Sequence, residues 1–493
     1  MNRSIRRVAL TLGLAFLALL VQLNYTQVFA SKRYAEHPAN RRLLVKEYST
    51  QRGDVIAGGE VIARSVPTDD RLKYLREYPL DALMSEISGY YSLVYGGAGL
   101  ERAYNSYLTG NKPARVESIV DQLLGRDRKG NSLLLTMDME LQRIAAEKLG
   151  RQRGAVAAID PQTGAVLALF SNPTYNPNAL SSHNTGAIRR SWDFYQNDPS
   201  NPLLSRSFQE RYPPGSTFKI LVAAAALENG IKPTDTFPNP TALPLPLTNR
   251  TLGNFGGGAC RGGSGGRISM AQGLRVSCNT TFAQIGMQIG ADKLVAQAEK
   301  LGMQKPPVFD LPATASCIRT APRGCAEPTL DEPQTALSSI GQFDVRVTPL
   351  QMARLVAAVA NGGMLVRPHL VREVQDYTGA ILETIAPPAE GQAFSAGTAA
   401  TLKSMMIDVV QNGTGRPVRV PGIEIGGKTG TAETGAEGKP PHSWFVAFAP
   451  GISVAVIVEN GGDLGDEATG GRVAGPIAKA MIEALSRRGA ESG

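Results

Sequence analysis

The chain opens with Arg3, Arg6 and Arg7 and then runs from Val8 to Ala30 without a charged side chain. That stretch is long enough to cross a bilayer as a helix, for which about 20 apolar residues suffice. Arginines ahead of such a segment stay in the cytosol, so everything after about Ser31 is expected outside. Val28-Phe29-Ala30 also fits a signal-peptide cleavage site, but Gln22 to Ala30 is long for a cleavage region, which favours an uncleaved anchor. Whatever the rest of the chain builds must therefore fold and work in an extracytoplasmic space.

That compartment decides how the cysteines are read. Cys260, Cys278, Cys317 and Cys325 can all pair in an oxidising environment, with three connectivities open to them. The pairing expected is the two short loops, Cys260–Cys278 and Cys317–Cys325. No CxxC element occurs, and His37, His183, His369 and His442 are far apart in sequence, so no metal site is expected. The 493 residues leave room for two or three domains. A formal charge of +8, from 51 basic and 43 acidic residues, is modest and scattered. No run of Lys or Arg is interleaved with aromatics, which argues against nucleic acid as a partner.

Strand signals cluster in three places. Arg52-Gly53-Asp54-Val55-Ile56 and Glu60-Val61-Ile62-Ala63 flank the Gly58-Gly59 turn. Ala155 to Ile159 and Ala165 to Phe170 surround the turn Asp160-Pro161-Gln162-Thr163-Gly164 and predict a hairpin. Trp444 to Ala449 and Ser453 to Glu459 surround Pro450-Gly451. Helical patterns lie between, including a short one at Gly99 to Tyr104 and one at Thr217 to Glu228 ended by Gly230; a last helix covers about Gly475 to Arg487. Strands at both ends of the long C-terminal part, with helices between, predict an antiparallel sheet backed by helices, an α+β fold.

Three short elements carry chemistry. In Pro214-Gly215-Ser216-Thr217-Phe218-Lys219, Ser216 and Lys219 fall one helical turn apart on one face. A helix N-terminus favours negative charge near the serine, and a lysine kept neutral by burial can take its proton. Ser216 is the one serine in the chain with a lysine three residues on. In Ser277-Cys278-Asn279, a hydroxyl and an amide on one loop can relay a proton and hold a peptide backbone. In Lys428-Thr429-Gly430-Thr431, a cation and a hydroxyl at a strand edge suit a peptide carboxylate, and Gly430 leaves room for close approach. Each element alone has an ordinary structural explanation: a helix cap, a loop and a turn.

Their order resembles that of penicillin-binding proteins and class A β-lactamases. From Gly154 onward the chain is similar to the transpeptidase domain of the former, including Tyr212-Pro213-Pro214-Gly215-Ser216, Val347-Thr348-Pro349-Leu350-Gln351-Met352 and Trp444-Phe445-Val446-Ala447-Phe448. The anchor and Arg52-Gly53-Asp54-Val55-Ile56 resemble the N-terminal part of class B enzymes, and the short pedestal is most similar to the penicillin-binding protein A group of actinobacteria. The resemblance implies an anchor over 1–30, a pedestal, dimerisation-like domain over 31–150 and a penicillin-binding/serine β-lactamase-like domain over 151–493. It implies peptidoglycan D,D-transpeptidation without a cofactor. Ser216 would be the nucleophile, Lys219 the base, Ser277 the proton relay and Asn279 a peptide ligand. Lys428 and Thr429 would bind the substrate carboxylate beside Gly430, and the N–H groups of Ser216 and Thr431 would hold the oxyanion. Stem peptides, β-lactams, the membrane, a SEDS-type glycosyltransferase and other cell-wall or divisome proteins are the implied partners. One departure stands out: where relatives often carry Gly-Gln-Gly, this chain reads Gly341-Gln342-Phe343, which puts the shape of that loop in question.

Other readings fit less well. A β-lactamase is expected to carry a Glu-x-x-Leu-Asn loop, and no Glu between Asn279 and Lys428 is followed four residues later by Asn. A bifunctional class A enzyme needs a glycosyltransferase domain for which the span from Ser31 to Gly150 is too short. A D-Ala carboxypeptidase differs in using water as acceptor, and a non-catalytic binding scaffold would have no need of an intact triple.

Overall fold

The computed structural model describes residues 3–30, 48–111, 129–322, 324–434 and 438–491; His37 lies outside them. The uncharged N-terminal stretch is a helix, α1 (Arg3–Asn24), prolonged by a wider turn over Tyr25–Phe29. Arg3–Val28 is long and apolar enough to cross a membrane.

The principal elements then follow in chain order. Strands β1 (Val55–Ala57), β2 (Glu60–Pro67) and β3 (Tyr74–Glu77) precede helix α2 (Gly99–Ala103) and strand β4 (Ser132–Leu135). Helix α3 (Met139–Leu149) leads into the hairpin β5 (Gly154–Ile159) and β6 (Val166–Asn172). Helices α4 (Lys219–Glu228), α5 (Asn279–Ile289) and α6 (Pro349–Ala360) come next, followed by β7 (Val371–Gln375), β8 (Ile381–Thr384) and α7 (Ala396–Asn412). The chain ends with β9 (Gly426–Ala432), β10 (His442–Ala449), β11 (Ile452–Val458) and α8 (Ala474–Glu491).

The larger layer is a five-stranded antiparallel sheet in the order β9-β10-β11-β5-β6, as the apolar strands at both ends of this region predict. Its central strands are buried on both faces, so they read as unbroken apolar runs. Val156 and Ala158 pack with α3 and α8 on one side, whereas Ala155, Ala157 and Ile159 join the core containing α6 on the other. Between Lys219 and Glu228 helix α4 is apolar all round, with Ala223 to Ala226 buried; such a helix has to be enclosed, and α5 and α7 enclose it.

The pedestal holds a six-stranded sheet in the order β8-β7-β4-β1-β2-β3. Strands β1 and β2 pair around Gly58-Gly59 as expected, and β1 lies parallel to β4. The chain crosses between the layers more than once: β7 and β8, from residues 371–384, extend the pedestal sheet through β4, while α3 packs on β6 and α8. The Arg52 side chain that opens the first strand motif is buried. It donates through Nε (3.0 Å) and Nη2 (2.6 Å) to Glu101 on α2 and lies over the Tyr91 ring. Arg76 of β3 donates to the other oxygen of Glu101. This knot ties the start of the pedestal sheet to α2.

Candidate active site

One edge of the five-stranded sheet is β9, and the turn carrying Ser216 packs against it. Ser216 sits in a tight helical turn, Gly215–Phe218, that runs directly into α4. Gly215 makes the junction possible: its φ is +53°, and a Cβ there would lie 2.6 Å from the Thr431 carbonyl oxygen. Trp444, opposite Gly430 in the sheet, donates its indole N–H to the Pro213 carbonyl at 2.9 Å and so pins the approach to Ser216. Ser216 itself is half-buried.

Behind it two lysines converge. Lys219, fully buried on the first turn of α4, donates to the Ser277 carbonyl (2.8 Å) and to Asn279 Oδ1 (2.7 Å). Lys428, fully buried on β9, donates to Ser277 Oγ (2.8 Å) and to the Thr429 carbonyl (2.9 Å). Among the described residues neither amine has a carboxylate partner. Burial, and then the neighbouring Lys428 ammonium, hold the Lys219 amine well below the ordinary lysine range. Burial alone pushes Lys428 down to about 7.

The structure thus links Lys219, Asn279, Ser277 and Lys428 in one hydrogen-bonded chain. The Ser216 hydroxyl stands outside it and makes no hydrogen bond among the described residues; in unliganded sites such contacts are often loose. Thr429 Oγ1 shares a hydrogen bond with Thr414 Oγ1 (2.8 Å), and Thr431 pairs with Ser443 in the sheet. The space a Cβ would need at Gly430 is taken by Thr217 Cγ2 (2.8 Å), Trp444 Cβ (2.9 Å) and the Pro214 carbonyl (3.0 Å). Glycine at this position lets β9 close onto the turn carrying Ser216, a packing reason that the sequence did not show.

Family models match in two blocks: residues 154–483 fit the penicillin binding protein transpeptidase domain, and residues 52–133 fit the penicillin binding protein A dimerisation domain. The chain is 40% identical over 501 residues to the peptidoglycan D,D-transpeptidase PbpA of Mycolicibacterium smegmatis, covering 99% of this chain and 100% of that one. It belongs to the penicillin-binding transpeptidase family. The ceftriaxone acyl-enzyme complex of penicillin-binding protein A from Mycobacterium tuberculosis superposes with a TM-score of 0.83 at 38% identity, covering 89% of this chain and 99% of that one. The penicillin G acyl-enzyme of the same protein gives a TM-score of 0.81 at 37% identity, covering 88% and 99%.

The disulfides follow the expectation from the sequence, whereas other features of this family member were not visible as motifs. Both disulfides take the short-loop pairing, and Cys260–Cys278 fastens the middle residue of Ser277-Cys278-Asn279 to a neighbouring loop. Asn254 on that loop accepts from the N–H groups of Asn279 (3.0 Å) and Thr280 (3.1 Å), capping α5 from outside its own sequence. An asparagine before a glycine run signals a turn, but nothing in the sequence marks it as the cap of a distant helix. Ser277 is held at φ +64°, a left-handed conformation costly for a side-chain-bearing residue. In the departing loop, Phe343 takes φ +60°, and Gly341 accepts from the Gly215 N–H at 3.0 Å. The loop therefore carries a phenylalanine at a backbone position suited to the glycine of relatives. Among the described residues no group of three or more His, Cys, Asp or Glu is placed to hold a metal.

Proposed function

We propose that this chain is a membrane-anchored, class B peptidoglycan D,D-transpeptidase acting through a Ser216 acyl-enzyme. The observation that carries the reading is the meeting of two buried lysines at Ser277, one from the helix that Ser216 leads into and one from the adjoining sheet edge. Lys219, favoured as the free amine by burial, takes the Ser216 proton as Oγ attacks the carbonyl of the penultimate D-Ala of a donor stem peptide. The N–H groups of Ser216 and Thr431 hold the oxyanion of the tetrahedral intermediate. Lys428 and Thr429 bind the terminal carboxylate, and Asn279 holds the peptide backbone. Ser277 passes a proton to the nitrogen of the leaving D-Ala as that C–N bond breaks. An amine from a neighbouring stem peptide then attacks the ester, restoring Ser216 and leaving a cross-link. β-Lactams enter by the same attack, which opens the ring amide and leaves an ester on Ser216. The acylated forms of the Mycobacterium tuberculosis relative support this course.

The arginines before α1 favour a single-pass orientation with the catalytic layer outside the bacterial cell membrane. Membership of class B brings with it a SEDS-type glycosyltransferase and other cell-wall or divisome proteins as partners.

The test is the intact mass of the full-length protein in detergent, followed for hours after adding benzylpenicillin, beside Ser216→Ala. A stable gain of one antibiotic, absent in the variant, is expected. A gain that vanishes within seconds while drug is consumed would point to a β-lactamase, and no gain at all would overturn the proposal.

A further inference from the structure

Outside the catalytic cleft a cavity of about 380 Å³ opens between the segment leading to Ser216 and the exit of β9. Arg211, Arg346 and Lys439 line it, with Thr434 just past the end of β9. An antiparallel bridge between Tyr212 and Val347 puts Arg346 beside Pro213. Pro213 precedes Ser216 by three residues, so the cavity wall and the nucleophile are within about 10 Å along the chain.

Its charge is unbalanced. Glu459 accepts from Arg153 Nε (2.9 Å), Arg206 Nε (3.0 Å) and the Tyr212 hydroxyl (2.8 Å), so it is already neutralised. Burial pushes the Glu210 carboxyl up, and the Arg211 backbone N–H opposes this. Arg211 spends one nitrogen on Cys317 Sγ and the Gly324 carbonyl, and Arg346 spends one on the Phe343 and Val345 carbonyls. Among the described residues neither guanidinium nor the exposed Lys439 ammonium has a carboxylate within ion-pair distance. His442 in the wall adds no charge at neutral pH, because burial pushes it down to about 4.

The direction of the donor peptide follows from the roles given above. With its terminal carboxylate at Lys428 and Thr429 and its scissile carbonyl at Ser216 and Thr431, the peptide advances along β9 toward Thr434. An extended chain rises about 3.3 Å per residue, as the strand does, so the residues upstream of the penultimate D-Ala arrive at the cavity mouth. We propose that this cavity is a subsite for a free carboxylate of the donor stem peptide, carried one or two residues before the penultimate D-Ala, and that Arg211, Arg346 and Lys439 recognise it. Guanidinium forks with unused donors suit a carboxylate in a way a carboxamide cannot match. The subsite rests on the transpeptidase reading.

The experiment follows benzylpenicillin acylation of full-length protein by intact mass, with synthetic stem pentapeptides as competitors. One peptide has its upstream carboxylates free; in the other they are carboxamides; both keep the terminal carboxylate. The free acid is expected to compete about tenfold better, and less so at high salt. That ratio should fall toward one in Arg346→Gln and in Lys439→Gln. A ratio of two peptides cancels any change in basal acylation, and Lys439, exposed and without an ion pair among the described residues, is replaced without disturbing the fold. If wild-type protein is not acylated at all, the transpeptidase reading itself fails. If it is acylated but the two peptides compete equally, or neither competes, the subsite is wrong while that reading stands. A preference that persists in both variants also overturns the subsite.

Discussion

Two clusters of buried charge, one in each layer of the molecule, follow opposite rules. In the pedestal, Arg52 and Arg76 close on Glu101. Burial alone would push that carboxyl up, but the two guanidiniums outweigh it and hold Glu101 below the usual carboxylate range. In the cleft, Lys219 and Lys428 are as deeply buried, yet their partners are two carbonyls, an amide and a hydroxyl. Without a counter-charge, desolvation drives both amines toward the neutral form. Paired charge fixes a shape. Unpaired charge stores a tendency to exchange protons, which is what a general base requires.

The comparison is tested most severely at Lys219. Replacement by Ala should slow benzylpenicillin acylation of Ser216 by roughly 10²–10⁴, the usual worth of a positioned base. Thermal unfolding should not show a comparable loss, since the change removes an uncompensated amine rather than half of a pair. Acylation within tenfold of wild type would mean that another group takes the proton. The counterpart in the pedestal is Glu101→Gln, which breaks the buried ion pairs with both Arg52 and Arg76. Chemical denaturation should show a loss of about 3–5 kcal/mol, while the fraction that remains folded acylates at the wild-type rate. Little loss of stability would show that water reaches the knot.

How much of this was readable beforehand differs between the layers. The cleft was legible because chemistry demands particular residue types in order: Lys219, Ser277, Asn279 and Lys428 share one hydrogen-bonded chain, and Ser216 sits in the turn that leads into the helix of Lys219. The β5–β6 and β10–β11 hairpins were legible because tight turns separate apolar runs. What stayed hidden depends on distant contacts. Nothing local says that Arg52 meets Glu101, that β7 will leave its own region to pair with β4, or that Asn254 will cap α5. The role of Gly430 was read from substrate approach, whereas the contact that excludes a side chain comes from Thr217 and Trp444.

A gentler probe of the cleft is pH. Lys428 is a cation below its pKa of about 7 and neutral above it. The second-order acylation rate with a carboxylate-bearing β-lactam should therefore fall as pH rises through that value. By pH ~8.5 the loss should be about tenfold, the worth of one charge-assisted hydrogen bond. Lys428→Gln should be slow throughout and lack this limb. Stability moves the other way. Between about 7 and the ordinary lysine value of 10.5 the unfolded chain binds the extra proton, so the cost of burying this amine fades as pH climbs through that window.

The smallest effect expected lies at Phe343, where strain can be separated from side-chain loss. Its φ of +60° is a conformation in which a Cβ costs about 1 kcal/mol and glycine none. Phe343→Ala and Phe343→Gly both discard the ring, which is 41% exposed. They differ only in the Cβ and in the freedom of the unfolded chain. At an ordinary backbone position the glycine variant would be the less stable by roughly 0.5–1 kcal/mol. Here the order should reverse or vanish, with Phe343→Gly matching or exceeding Phe343→Ala by up to about 1 kcal/mol in equilibrium denaturation. The ordinary order would mean that, once the ring is gone, the Gly341-Gln342-Phe343 loop relaxes out of the left-handed conformation. The hydrogen bond from the Gly215 N–H to Gly341 would then not be enough to hold the loop against the nucleophile turn.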